Sequence, residues 1–562
     1  MSTEEKPYFE GRDVVSMRDF TREEIDAILD VADDVKRAIH DQSAASEFKR
    51  KYGKDINDLF QGIKIATLFR ENSTRTNFSF RAAVGGLEGF VDGFPSDDYT
   101  SFKKGETWGH AVAMFAGWGY DALVCRTKTE GIPRWTQEYL ERVHASMISK
   151  HKRMGQGYSY RRPMILNGGD GKNQHPTQCF LDLFTMREIA RMEGKELDGL
   201  EVALLNDLAH GRTNASLMSV AHLFDWKLHF AYPDRFGPQQ HRLDDLIRNG
   251  VSIEDHGSDF KSAMTAALIA YHSRPQKERV GVGEDLISIK ELGRINRVMY
   301  DALGINAPYL MHPLPIDAET FEEIAFDIDS HEMNWTKVQS SNGLYVRVAL
   351  MALGLGLIDS QADLQGKDLI EIVGLSSKML DLSIGDKDLT HARSGVIPKD
   401  GLVIDHIPPG MSRRLDGILG LEQSRLPIIS SRYLEVDGGK QPEKDMVKIH
   451  CGYDLSEPQL EAIALLAPDA TVSVVRGGRV VRKYRPLIGN HVADRVTCGN
   501  GACVTNVGIE HVIPKHHLES SESGPVLSCE YCEHTDTVPS VYAANRFRYL
   551  SPDHALIGIR RP

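Results

Sequence analysis

At 562 residues the chain is too long for a single hydrophobic core and reads as several domains of about 100–200 residues each. Hydrophobic residues at 41% and charged residues at 26% exclude global disorder. Lys and Arg number 66 against 79 Asp and Glu, a formal net charge of −13, which excludes polyanion binding over the whole surface but leaves room for a local basic pocket.

The opening Met1-Ser-Thr-Glu-Glu-Lys6 lacks the basic-then-apolar order of a secretory signal. Uncharged stretches such as Thr107–Tyr120 and Val348–Ile358 fall short of the ~18 residues that span a bilayer. A cytoplasmic protein with no membrane or nucleic-acid partner is expected. Residues 22–40 place Ile25, Ile28, Leu29, Ala32, Val35 and Ile39 at helical spacing behind Thr21, with Glu24 three positions on as a capping box. An apolar run at Ile63–Phe69 then meets Ser-Thr-Arg-Thr and a helical pattern. The same strand-then-helix alternation recurs at Ala122–Cys125, Met164–Leu166, Glu201–Leu205 and Ala267–Tyr271, which predicts an α/β fold with parallel sheets. The pattern changes after Gly354-Leu-Gly356, where a linker is expected. From Gly401 to Pro486, alternating runs at Leu402–Ile404 and Thr471–Val475 surround one helical segment at Glu457–Leu466, a small α+β domain.

Seven cysteines are too few and too clustered for a disulfide framework. Cys125, Cys179 and Cys451 are scattered. Cys498, Cys503, Cys529 and Cys532 form C-x4-C, twenty-five residues, then C-x2-C, and four thiolates on two knuckles make a closed tetrahedral set suited to structural Zn²⁺.

Two segments carry candidate chemistry. Phe69-Arg-Glu-Asn-Ser-Thr-Arg-Thr76 sits at a strand–helix junction, where free N–H groups, three hydroxyls and a guanidinium suit a phosphate. On this segment alone an ordinary N-cap with a surface arginine is equally open. Gly171-Lys-Asn-Gln-His-Pro-Thr-Gln178 leads into a helix over Cys179–Arg191 with Pro176 in its first turn, so His175 and Gln178 project from a helix start.

With Gly211-Arg-Thr213, Arg274-Pro-Gln-Lys-Glu-Arg279 and His312-Pro-Leu-Pro315, these segments resemble in order and approximate spacing the aspartate carbamoyltransferase catalytic chain. The resemblance covers roughly residues 10–358, with an apparent insertion near Thr136–Arg161. Val403-Ile-Asp-His-Ile-Pro408, Glu443–Lys448, Leu465–Val472 and the cysteine cluster resemble the separate regulatory chain of the bacterial enzymes, so the whole looks like a catalytic–regulatory fusion.

The resemblance implies a two-domain carbamoyltransferase fold of parallel sheets with flanking helices, followed by a small α+β regulatory domain and a small zinc-binding β domain. It divides the chain into a carbamoyl-phosphate-binding domain (1–168), an aspartate-binding domain (169–310) and C-terminal helices packing back on the first domain (311–358). A linker (359–390), a nucleotide-binding-like regulatory domain (391–487) and a zinc-binding domain with tail (488–562) follow.

The implied reaction moves the carbamoyl group of carbamoyl phosphate to the α-amine of L-aspartate in pyrimidine biosynthesis. By the resemblance Ser73, Thr74, Arg75 and Thr76 hold the phosphate; Thr76, Arg126 and His175 polarise the carbonyl oxygen; Gln178 holds the carbamoyl amide; and the carbonyls of Leu314 and Pro315 engage the substrate. Arg212, Arg274 and Gln276 bind aspartate. Glu71, Arg212 and Arg279 form a charged network that closes the domains. Ser101 and Lys104 match a loop that reaches the neighbouring subunit's active site, implying a trimer-based homo-oligomer. Asp405, His406, Lys448, Lys483 and Arg485 fall where the family binds nucleotide effectors such as CTP or ATP.

Three positions depart from the family's commoner choices: Ile316 after His-Pro-Leu-Pro, where arginine is usual, and Arg70 and Asn77 beside the phosphate segment. An ornithine-specific relative fits less well, because that branch carries cysteine where Thr177 and Pro313 stand. A catalytically silent scaffold or nucleotide-sensing partner with the same fold is the alternative from another class.

Overall fold

A computed structural model describes residues 6–155, 161–276, 293–319, 322–362, 364, 378–383, 399–419, 428–436, 441–450, 455–487, 489–508, 510–521, 524–544 and 546–548. Arg279 and Cys451 lie outside the described residues. The chain divides into two compact units, Met1–Gly366 with Ala502–Glu510, and Lys367–Gly501 with His511–Pro562.

The first unit opens with α1 (Arg22–His40), started by the expected capping box: Thr21 Oγ1 accepts the Glu24 N–H, and the Glu24 carboxylate accepts the Thr21 N–H at 2.8 Å. Ile25, Ile28, Leu29, Ala32 and Val35 are buried on its inner face. After α2 (Gln42–Tyr52) come β1 (Lys64–Phe69), α3 (Thr74–Gly85), β2 (Phe90–Phe94), α4 (Trp108–Gly117), β3 (Ala122–Thr127), α5 (Ile132–Arg153) and β4 (Met164–Asp170). The four strands pair in parallel, in the order β2-β1-β3-β4.

A long helix, α6 (Pro176–Met192), leads to the second sheet. There β5 (Glu201–Asn206), α7 (Arg212–Val220), β6 (Lys227–Ala231), α8 (Gln240–Arg248), β7 (Ser252–Asp255), α9 (Phe260–Ala266), β8 (Ile269–Ser273) and β9 (Tyr309–Met311) build a parallel sheet ordered β7-β6-β5-β8-β9. Strands β3, β4 and β8 are buried along their whole length, because helices cover both faces; this is why they open on continuous apolar runs, Ala122–Cys125, Met164–Leu166 and Ile269–Tyr271, rather than alternating ones. The helix Thr336–Gly354 returns to pack on α1, α3 and α6.

The strand orders locate the site. In the first sheet the order in which strands are added reverses between β1 and β3, and in the second between β5 and β8. Crevices beyond the carboxyl ends of strands at such reversals are where open α/β sheets bind ligands, since neighbouring connections diverge to opposite faces there. The phosphate segment follows β1, Arg126 lies on β3, Arg212 follows β5, and Arg274 follows β8.

The apparent insertion extends α5. Its first half buries Ile132, Trp135 and Leu140, whereas no residue from 141 to 155 is buried. Residues 502–510 belong to this same unit: the Glu510 carboxylate accepts the Trp108 and Gly109 N–H groups at 2.5 and 3.2 Å, placing a negative charge at the positive end of α4.

The second unit holds an antiparallel sheet of β10 (Lys378–Asp381), β11 (Gly401–Ile407), β12 (Ile428–Val436), β13 (Gln441–His450), β14 (Thr471–Arg476) and β15 (Arg479–Leu487), ordered β10-β15-β14-β11-β13-β12. Leu402, Ile404, Val447, Ile449 and Val472 alternate inward onto Leu460, Ile463 and Leu466 of the helix Glu457–Leu466. Strand β10 lies inside the stretch read as linker. Four residues show no periodicity of their own, and it is the backbone ladder to β15, Lys378 opposite Leu487 through Asp381 opposite Tyr484, that orders them. A second antiparallel sheet follows, β16 (His491–Ala493), β17 (Lys515–Ser521), β18 (Gly524–Cys529) and β19 (Thr535–Thr537). Among the described residues no helix is long and apolar enough to cross a membrane.

Candidate active site

The two sheet reversals open onto one cavity of about 560 Å³. Among the described residues lining it are five arginines, Arg75, Arg126, Arg212, Arg274 and Arg347, against one carboxylate, Glu71. Such a wall attracts anions and resists closing without them.

One side of the cavity is the start of α3. Ser73 stands at the N-cap with extended backbone, yet its hydroxyl makes no capping bond, so the helix's first amides, Ser73 and Thr74 all remain at the cavity wall. Ser73 is thus an N-cap by its backbone alone, which leaves its hydroxyl available to the cavity. Arg75 faces the cavity, and its guanidinium is held below the ordinary arginine value by partial loss of water and then by the charge of Arg274. The mutual repulsion of two cations at one wall is what a polyanionic substrate relieves. Thr76 is buried at the same wall.

Arg126 reaches the cavity from β3, its Nη1 donating to the Gly168 carbonyl at 2.8 Å and its Nη2 lying 3.8 Å from Glu71. His175 stands at the N-cap of α6 with its backbone N–H on Ser216 Oγ at 2.9 Å. Burial, then Arg126, Arg212 and Arg347, hold its imidazole well below the usual histidine value, so it is neutral at neutral pH and offers an N–H rather than a charge. Gln178, one turn on, lines the cavity with its amide anchored on Asp182 at 2.9 Å.

The second sheet supplies the facing wall. Arg212, at the start of α7, donates to both oxygens of Glu71 at 2.8 and 3.0 Å, a fork that ties the segment after β1 to the segment after β5. Gln276 is fixed by its N–H on Asp207 at 2.9 Å and its amide on the His210 carbonyl at 2.8 Å. Leu314 and Pro315 close the cavity, joined by a cis peptide bond, with Leu314 in the left-handed region at φ 56°. A leucine there is strained and persists because its N–H is held by His312 Nδ1 at 2.8 Å.

All the predicted substrate residues except two converge here. Ser101 and Lys104 lie on the 3-10 turn Ser101–Lys104, exposed, and are not among the lining residues of this chain's cavity. The departures have structural accounts. Arg70 pairs with Asp97 at 3.0 Å and lies over the Phe102 ring at 4.3 Å, tethering the turn that bears Lys104. Asn77 is buried, bonded to Thr67 and Arg81. Ile316 packs on the apolar core of the second sheet, so no arginine stands at that position.

Sequence reading missed Gln339, Ser340 and Arg347, which enter the cavity from the helix Thr336–Gly354. The signal for Arg347 was its place in Tyr345-Val-Arg-Val-Ala-Leu350, a charge inside an apolar run. Burial pushes it down to about 10, and it donates to Ser79 Oγ at 2.9 Å.

In the second unit, the register puts Lys448 opposite Val403, Val403 opposite Ser473, and Ser473 opposite Lys483. Cross-strand pairs share a face and alternate residues repeat it, so Lys448, Lys483, Asp405 and Arg485 lie on one face of the sheet. Lys444 bonds Asp405 at 2.9 Å, and His406 follows at φ 61°.

Cys498, Cys503, Cys529 and Cys532 are all buried, and their sulfurs lie within 4.8 Å of one another. A tetrahedral thiolate site with ~2.3 Å metal–sulfur bonds spaces its sulfurs about 3.8 Å apart. Cys498 and Cys532 stand 3.5 Å apart, and the Asn500 N–H and Thr505 hydroxyl donate to Cys498 and Cys503 sulfurs. Donors aimed at sulfur stabilise thiolates, so the set fits a metal.

The chain is similar to known proteins over both of its units. Residues 12–188 match the family described as aspartate/ornithine carbamoyltransferase, carbamoyl-P binding domain, and residues 198–353 the corresponding Asp/Orn binding domain. Residues 397–486 match the aspartate carbamoyltransferase regulatory chain, allosteric domain, and residues 490–540 its metal binding domain. The aspartate carbamoyltransferase catalytic subunit of Thermococcus kodakarensis is 32% identical over 351 residues, 62% of this chain and 99% of the relative. Protein PyrBI of Treponema denticola is 26% identical over 563 residues, covering 96% of this chain and 99% of the relative. Among solved structures, aspartate transcarbamoylase from Trypanosoma cruzi in complex with carbamoyl phosphate and aspartate is 25% identical with a TM-score of 0.50, covering 62% of this chain and 98% of that one. The chain belongs to the aspartate carbamoyltransferase family and carries its catalytic and regulatory parts in one polypeptide.

Proposed function

We propose that the chain transfers the carbamoyl group of carbamoyl phosphate to the α-amine of L-aspartate, giving N-carbamoyl-L-aspartate and phosphate for pyrimidine biosynthesis. The observation that carries this reading is one cavity that joins an uncapped helix start bearing Ser73, Thr74, Arg75 and Thr76 to arginines on the opposite wall. Phosphate takes the helix start, and the carbonyl oxygen lies toward Thr76, Arg126 and His175. As the amine attacks, that oxygen gains charge and these donors bind it more tightly than the ground-state carbonyl. Collapse breaks the carbon–oxygen bond, the attacking nitrogen gives up a proton to the departing phosphate, and phosphate leaves on Arg75. Arg274 and Gln276 take the aspartate carboxylates, with Arg212 holding Glu71 and so closing the two walls. The single test is a molecule that joins a phosphonate to L-aspartate through a two-carbon acyl link. It is expected to inhibit competitively against carbamoyl phosphate, and to lose most of its affinity in Arg75→Ala and in Arg274→Ala. Equal affinity in either variant contradicts the assignment.

Ser101 and Lys104 serve the active site of a neighbouring copy, a reading supported by their exposure and by their position outside this chain's own cavity. The predicted assembly is a trimer-based homo-oligomer. Mixing inactive Lys104→Ala and Arg75→Ala proteins is expected to restore measurable turnover through hybrid sites, whereas no recovery after confirmed subunit exchange contradicts sharing.

The four cysteines hold a structural Zn²⁺, and the basic sheet face of Lys448, Lys483 and Arg485, with Asp405 and His406, takes a nucleotide triphosphate such as CTP or ATP. The six described cysteines form no disulfide, which suits a reducing cytoplasm.

A further inference from the structure

Beneath the cavity floor lies a buried carboxylate that touches no substrate. Asp182, on α6, is fully buried and accepts three hydrogen bonds from three separate elements. Gln178 Nε2 donates to its Oδ1 at 2.9 Å, Gln339 Nε2 to the same oxygen at 2.7 Å, and the Tyr271 hydroxyl to its Oδ2 at 2.8 Å. These donors come from α6, from the helix Thr336–Gly354 and from β8.

The orientation of each amide is dictated by this arrangement. Gln339 Oε1 accepts the His312 N–H at 2.8 Å, so its NH₂ end must face Asp182. An ionised carboxylate only accepts, so Gln178 must also present its NH₂ end, which leaves its carbonyl oxygen on the cavity side. A cavity-facing carbonyl accepts an N–H; a cavity-facing NH₂ repels one. Of the groups on the proposed acyl donor, the carbamoyl amide alone supplies N–H.

We propose that Asp182 is a positioning residue that fixes the Gln178 side chain with its carbonyl oxygen toward the carbamoyl NH₂, and so sets the affinity for the carbamoyl donor. The inference rests on the assignment of Gln178 to the carbamoyl amide. The same carboxylate links Gln178, through Gln339, to the His312 backbone and hence to the Leu314–Pro315 wall, so one group registers both sides of the acyl site.

Protonation weakens the arrangement: the proton takes Oδ2, where the Tyr271 hydroxyl must turn from donor to acceptor, and Oδ1, left as a neutral carbonyl, holds the Gln178 and Gln339 amides less tightly than a carboxylate does. Burial pushes Asp182 up to about 7 against the pull of its three donors and of Arg347. The charged or titratable groups packed on it are Arg347 from the helix Thr336–Gly354, Tyr271 from β8 and Cys179 on its own helix; burial holds the last two uncharged at neutral pH. The weakened form is therefore the one below about pH 7. Asp170 titrates in the same range, so the variants rather than the wild-type profile assign the inflection.

The test is steady-state kinetics with carbamoyl phosphate varied at saturating aspartate, from pH 6 to 9. In wild type the carbamoyl phosphate KM is expected to rise as pH falls through about 7. Asp182→Asn keeps the shape but turns one end into a donor. It is expected to raise that KM about tenfold at pH 8, with kcat and the aspartate KM changing far less, and to remove the inflection. Gln178→Ala is expected to raise the KM to a similar degree, and the double variant no further than Gln178→Ala alone. Additive effects, or a silent Asp182→Asn beside an impaired Gln178→Ala, overturn the role of Asp182; an unimpaired Gln178→Ala overturns the Gln178 assignment itself. If Asp182→Asn does not fold, Tyr271→Phe takes its place. Removing a donor from the ionised form is expected to shift the inflection to higher pH, and an unmoved inflection overturns the proposal.

Discussion

Arg75→Ala is expected to lower kcat/KM for carbamoyl transfer by about 10³-fold, ~4 kcal/mol of transition-state stabilisation, measured by steady-state turnover with carbamoyl phosphate and aspartate. The guanidinium sits at the uncapped start of α3 and already bears the repulsion of Arg274, so it gains most when phosphate develops full charge on leaving. The loss is expected in kcat as well as in KM, because the contact strengthens along the reaction. Inorganic phosphate is expected to bind the variant more weakly by a smaller factor. A loss below tenfold in kcat/KM places the leaving group elsewhere.

The second large effect lies at the cysteine cluster. Cys529→Ser is expected to drop bound zinc, measured by elemental analysis, from about one per chain to a small fraction, and to melt the sheet of β16–β19. That sheet adds only a few apolar side chains of its own, among them Val492, Val496, Leu527 and Val541, to the core it shares with the helix Glu457–Leu466, so its four short strands lean on a staple. Zinc binding supplies roughly 10–16 kcal/mol in comparable small domains. Sedimentation is expected to show lost assembly, while turnover per folded catalytic unit falls less than in Arg75→Ala. Full zinc retention in the variant contradicts a four-sulfur site.

Much of the fold was legible because burial leaves a trace in order of residues. β3, β4 and β8 are covered on both faces and so open on unbroken apolar runs of three or four residues, and Thr21 with Glu24 announces the start of α1. The cavity residues that lie in short motifs, Ser73–Thr76, His175–Gln178 and Arg212, were likewise legible, since each motif serves one strand–helix turn. Asp182 was not. It stands in Phe180-Leu-Asp-Leu-Phe184 and meets Tyr271 and Gln339 only because α6, β8 and the helix Thr336–Gly354 converge; 157 residues separate it from Gln339. β10 was missed for a related reason, because an edge strand of four residues is ordered by its partner's backbone and not by its own side chains. Ile316 carried the opposite lesson: the motif shows only that the usual arginine is missing, and the structure shows an apolar contact in its place.

The most direct measurement is formation of N-carbamoyl-L-aspartate from carbamoyl phosphate and L-aspartate by the full chain, with L-ornithine as the competing amine and with CTP or ATP added in parallel. Turnover with aspartate, none with ornithine, and a rate altered by nucleotide are the predicted results. Absence of turnover with aspartate by a folded, zinc-loaded oligomer contradicts the account.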